Sequence, residues 1–200
     1  MKENNFNKIK ITSNLIYTIC ILILSILFLS IFYKVDIFNI NGFIISYILG
    51  IFFITTITLL FDIKNTITTR KKHFKELIFV ILTALYIVLF INFIDIPLNF
   101  FKASSGLINL IIYLGKIILF AGPAIPLNIF LQNETYFSKK IIILQTLNKL
   151  LLFIILGSLF LNQFKIKGLI VTISLIELIT FIFNILYIES YNKKNKKTKS

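Results

Sequence analysis

Residues 169–188 read LIVTISLIELITFIFNILYI, twenty residues in which Glu177 is the one charged side chain. A helix of that length rises about 30 Å, the thickness of a bilayer's hydrocarbon core. Apolar residues occupy all its faces, whereas a helix on a water-soluble core shows one apolar stripe. The stretch therefore reads as a membrane span. Working outward, residues 11–33, 43–61, 77–94 and 107–131 meet the same length and composition. A further segment, 150–164, is short unless it begins at residue 141, which brings Gln145, Asn148 and Lys149 into its first half. Lys149 is then expected to stretch its ammonium back to the headgroups.

The chain as a whole agrees with this pattern. It is 58% hydrophobic and only 14% charged, with a mean hydropathy of +0.93, while a soluble domain carries about a quarter charged residues. A small water-soluble fold leaves too much surface exposed to hide this much Ile, Leu and Phe. Within lipid each backbone N–H and C=O must be paired in its own segment, so the spans are predicted to be helices. A β-barrel would show shorter segments of alternating polarity. The expected fold is an all-α six-helix transmembrane bundle, with a tail over residues 1–10, a membrane domain over 11–191, and a disordered polybasic tail over 192–200.

The net charge of +13 sits beside the spans, which points to topology and anionic lipid and away from nucleic acid. In the six-span reading, one side holds sixteen Lys and Arg residues, in the N-terminal tail, the loops around Arg70 and Lys139, and the C-terminal tail. The other side holds four, Lys34, Lys102, Lys165 and Lys167. The positive-inside rule then places both ends on the cytoplasmic side of the cell membrane. The same balance requires the fifth crossing. The first apolar run is longer than a signal-peptide core and no small-residue cleavage site follows it, so it reads as an uncleaved helix.

Two features are candidates for function. Lys116 in the fourth span and Glu177 in the sixth lie at matched sequence depths, about 13 and 12 Å in. They are expected to pair, either as a structural lock or as part of an ion, proton or substrate path. The fourth span also contains Gly122, Pro123 and Pro126. Two prolines three apart remove backbone donors and predict an interruption, a feature that lines binding cavities in many transporters. Lys116, Glu177, Gly122, Pro123 and Pro126 thus make up the expected substrate or ion path.

Other residues carry less. Cys20 stands alone, and the lone His73 has no Cys or His partner near it in sequence, so no disulfide, metal site or cofactor is expected. His73 reads as a solvated loop residue. Asn133-Glu134-Thr135 matches a glycosylation sequon in a loop expected to be cytoplasmic, and Ala103-Ser104-Ser105-Gly106 reads as a turn. Ser46, Gly50, Thr55, Thr56 and Thr58 in the second span read as a packing face with hydroxyls bonding across to a neighbour. The bias toward Ile, Asn, Lys and Phe, with a single arginine, resembles an AT-rich coding sequence and weakens any argument from a lone Asn or Lys.

No Walker motif, H-E-x-x-H or nucleophile elbow is present, and the two halves show no convincing self-similarity. The reading favoured by the sequence is a small transport or permease-type component. A non-catalytic membrane partner, of the immunity, assembly or regulatory kind, is the alternative, docking through the basic loop 64–75. A membrane-embedded lipid-modifying enzyme comes third, because the spans hold so few acid–base groups.

Overall fold

In the computed structural model, residues 2–32, 34–65, 72–100, 103–132 and 136–197 are described, and they form helices with no strand among them. The elements are α1 (Lys2–Leu27), α2 (Ile37–Tyr47), α3 (Phe53–Asn65), α4 (Lys72–Phe93), α5 (Asp95–Phe100), α6 (Ser105–Ala121), α7 (Ala124–Leu131), α8 (Lys139–Phe164) and α9 (Ile166–Lys197). A π-helical turn, Phe28–Phe32, extends α1, and another, Ile48–Phe52, joins α2 to α3.

Five stretches are long and apolar enough to cross a membrane: Asn5–Ile31, Asn39–Asp62, Phe74–Phe93, Lys139–Phe164 and Ile166–Asn195. The short fifth segment of the sequence is therefore one uninterrupted helix that starts at the Ser138 cap. The flanking tails are largely helical as well. Lys2–Lys10 belong to α1, and α9 continues to Lys197, with the last residues outside those described. Because α4 begins at Lys72, His73 lies in its first turn, while residues 66–71 of the basic loop and Asn133–Thr135 lie outside the described residues.

Polarity is distributed the opposite way from a water-soluble bundle. Leu82 and Leu85 on α4, Ile155 and Leu159 on α8, and Ile182 and Phe183 on α9 face outward. Asn14, Asp62, Asn128, Gln132, Lys149, Glu177 and Asn184 are buried. Water favours the reverse arrangement, because buried charge needs pairing and exposed Leu and Ile forfeit the hydrophobic gain.

Close approach explains the second span. A side chain at Gly50 would press on Ile118 of α6, and one at Gly42 on Leu110. The hydroxyls bond differently from expectation. Ser46, Thr56 and Thr58 donate to Gly42 O, Phe52 O and Ile54 O, each four residues back on its own helix. An i−4 carbonyl is always within reach of a helical Ser or Thr, so no neighbour is needed to satisfy it. Contacts across helices come from tyrosines: Tyr86 donates to Leu49 O in the π-helical turn at 2.6 Å, and Tyr47 donates to Thr18 O of α1 at 2.7 Å.

The interruption expected within residues 107–131 falls at Gly122-Pro123, between α6 and α7. Pro123 has no N–H to donate to the carbonyl of Leu119, and Gly122 lets Ile87 of α4 pack where a methyl would stand. Pro126 is the third residue of α7, within the first turn, where helical N–H groups have no intrahelical acceptor. Gly122 (φ −52°, ψ −45°) and Pro123 (φ −66°, ψ −24°) keep right-handed helical dihedrals, so the chain is offset without being turned back.

A tight connection joins α8 to α9. Lys165 adopts φ 53°, ψ −138°, and Gly168 donates to Lys165 O. A Cβ at Gly168 would collide with the Phe160 carbonyl, which is backbone and cannot rotate away, whereas one at Gly157 would meet ordinary contacts at 3.8–3.9 Å. Gly168→Ala is therefore expected to lower stability by about 1–3 kcal/mol, with Gly157→Ala near neutral, as read from thermal unfolding midpoints in detergent.

Candidate functional site

Glu177 lies eleven residues into α9 and is 4% exposed. Both its carboxylate oxygens accept from the Lys149 ammonium of α8, each at 3.0 Å, and Lys149 is itself 6% exposed. Lys149 thus does not reach for an interface. Its side chain turns into the bundle because an ammonium beside a carboxylate is better placed than one drawn across apolar neighbours. The ring of Tyr17 on α1 covers the ammonium at 4.7 Å, a cation–π contact on a desolvated charge. The Tyr17 hydroxyl is buried with no hydrogen-bond partner among the described residues.

From Glu177 a chain of amides crosses the bundle. Asn128 on α7 donates to Glu177 Oε2 at 2.8 Å and to the Glu177 backbone oxygen at 2.9 Å. Asn184 on α9 donates to Asn128 Oδ1, and Gln145 on α8 donates to Asn184 Oδ1. Gln132, at the end of α7, donates to Gln145 Oε1, and Asn14 on α1 donates to Gln132 Oε1. Every amide in the series donates toward the carboxylate. A carboxylate only accepts, so Asn128 must present its NH2 to Glu177 and its oxygen to Asn184, and the same choice passes along the series.

Asn14 also donates to the backbone oxygen of Lys10, where a second buried ion pair begins. Lys10 Nζ lies 2.6 Å from Asp62 Oδ2 of α3, and both side chains are about 5% exposed. Two ion pairs and five amides thereby join α1, α3, α7, α8 and α9 in one polar network among the described residues. No group of three or more His, Cys, Asp or Glu side chains suited to a metal forms among the described residues.

The network places the sequence candidates as follows. Glu177 is at its centre. The break at Gly122 and Pro123, with Pro126 buried in the first turn of α7, leads directly into the helix that carries Asn128. Lys116 is elsewhere. It is exposed on α6, and Glu177 takes its cation from Lys149. The adjacent Gly115 packs on Phe90 and Ile91 in the last turn of α4, and Tyr113 lies 4.2 Å under the Lys167 ammonium at the start of α9. Lys116 therefore sits within about a turn of those helix ends, while Glu177 is about 16 Å along α9. Counting from the start of each apolar run misjudged the depth, because α6 begins beyond the level at which α9 begins. α7 and α9 do meet, through Asn128, and Lys116 takes no part.

Asn14, Asn128, Gln132, Gln145 and Asn184 were not singled out from the sequence, and the compositional bias toward Asn is the reason. A signal was present. Lys10 with Asn14, Asn128 with Gln132, and Gln145 with Lys149 are each four apart, and Glu177 and Asn184 are seven apart, so each pair falls on one helical face.

Lys149→Met strands the buried carboxylate and is expected to cost about 3–5 kcal/mol, while adding Glu177→Gln removes the stranded charge and recovers most of that loss. Thermal unfolding of the two single variants and the double variant measures the coupling. No family model matches the chain, and no curated protein and no solved structure matches it.

Proposed function

We propose that this chain is a multi-pass protein of the cell membrane with six crossings and both ends on the cytoplasmic side. In this reading it is a small transport or permease-type component that passes a cation, a proton included. α6 and α7 together supply the crossing that brings the number to six, offset at Gly122-Pro123. The helical dihedrals at both residues support one continuous passage. The clustering of Phe6, Phe137 and Ile142 with Tyr187 and Ile188 supports a common side for the two ends, because it joins the start of α1 to the later part of α9. The distribution of Lys and Arg supports the cytoplasm as that side.

The observation that carries the transport reading is the buried Glu177–Lys149 pair beside an interrupted helix. A buried ion pair gives little stability over well-packed apolar residues, so its presence between apolar helices needs another reason. An entering cation would compete with the Lys149 ammonium for the carboxylate, and Asn128 holds that carboxylate in place on the half-helix after the break. The polar series from Lys10 and Asn14 marks the approach from the side of the N-terminus. A second reading has its own support. Both Glu177 oxygens are satisfied within the chain, and a closed network of this kind also suits a non-catalytic membrane partner that needs a rigid shape.

Proteoliposomes separate the two. Glu177→Gln, and the Glu177→Gln/Lys149→Met pair that leaves no stranded charge, are both expected to abolish cation or proton flux while the double variant stays folded. Undiminished flux in the folded double variant removes Glu177 from the path. An absence of flux in the wild-type chain, with a stably copurifying partner, selects the second reading.

The topology has its own check in a Cys20→Ala background. Ser104→Cys is expected to react with an impermeant thiol reagent added outside intact cells, and Ser190→Cys only after permeabilisation.

A further inference from the structure

A groove of about 500 Å³ runs between α1 and α8 on the outside of the bundle. At one end stand Asn5 and Lys8, both exposed, and Lys8 makes no ion pair among the described residues. Toward the other end the walls are Ile16, Leu147 and Leu150, with the hydroxyls of Thr12, Ser13 and Thr146 between them and the mouth. Lys139 and Lys140 lie one turn before the groove residue Ile143 on α8, at the end that holds Lys8. The groove is thus cationic at its mouth and mostly apolar along its length.

Its dimensions and lining select the occupant. From Lys8, where the headgroup is placed, to Ile16 the helix rises about 12 Å, within one leaflet of a hydrocarbon core of roughly 30 Å. A narrow, mostly apolar groove with an ammonium at one end suits an acyl chain beneath an anionic headgroup. A basic cluster at the headgroup level attracts an anionic head, and each Lys there adds to the attraction.

We infer that the α1–α8 groove binds one anionic phospholipid, with its acyl chain between Ile16 and Leu147 and its phosphate at Lys8. The site rests on the membrane reading alone and not on transport. The lipid lies along the outer faces of α1 and α8, which differ from the inward faces that carry the buried Asn14, Tyr17 and Lys149.

The chain contains no tryptophan, so single reporters are clean. Leu147→Trp and Ile16→Trp, on opposite walls, are reconstituted into phosphatidylcholine vesicles with increasing brominated phosphatidylglycerol or brominated phosphatidylcholine. Leu85→Trp, on the exposed face of α4, is the reference. Both groove reporters are expected to reach half-quenching at about a fivefold lower fraction of the anionic lipid, with no such preference at Leu85→Trp. Lys8→Gln should narrow the gap, and Lys8→Gln with Lys140→Gln should close it. Equal quenching by the two lipids overturns the site, as does a preference that survives both lysine changes or one shared by Leu85→Trp. If Leu85→Trp is quenched by neither lipid, the membrane reading itself fails.

Discussion

A carboxylate buried between apolar helices has to be neutralised and hydrogen-bonded where it stands, and Glu177 imposes that demand on the rest of the bundle. Lys149 meets the charge and Asn128 meets a remaining acceptor site. Each partner then raises the same requirement for its own polar atoms. The amide series through Asn184, Gln145, Gln132 and Asn14 is the result, and its direction follows from the acceptor at its head. Low local dielectric makes such a network strong when complete and costly when broken, so the five helices that supply it are held in one arrangement.

The outward face is governed by the opposite condition. Leu, Ile and Phe cover the outward faces of α4, α8 and α9, as suits helices able to span a membrane, where burial between helices would give no advantage. Close packing replaces it. Gly42, Gly50 and Gly122 admit side chains of α6 and α4 at positions where a methyl would stand. The interruption at Gly122-Pro123 joins the two themes, since it sets the level of α7 and with it the position of Asn128.

Much of the fold was legible from residue types. A run such as 169–188 reads as a helix because twenty continuous apolar residues suit a spanning helix and not the short alternating strands of a barrel, and Pro123 lacks the N–H that would continue the ladder from α6. Glu177 was legible as a site for the same reason, as a charge in a run that has no use for one. Its partner was not. Lys116 and Lys149 are both lysines in or beside apolar runs, and the choice between them depends on the level of one helix against another. That level is set by the Gly115–Phe90 contact and the α8–α9 turn at Lys165, between residues far apart in sequence or in a backbone state that residue type does not specify. The amides were hidden differently, behind a composition in which Asn is common, although their four-residue spacing placed them on single faces.

Sequence by itself determined the helical class, the apolar runs, the break at Gly122-Pro123 and the presence of a charge that must be answered, because each follows from local chemistry. Only the tertiary structure decided which cation answers it, that Lys149 turns inward while Lys116 stays outside, and that a line of amides connects Glu177 to the Lys10–Asp62 pair. Those outcomes depend on the relative height and rotation of packed helices. Packing sets these through contacts that no single helix contains.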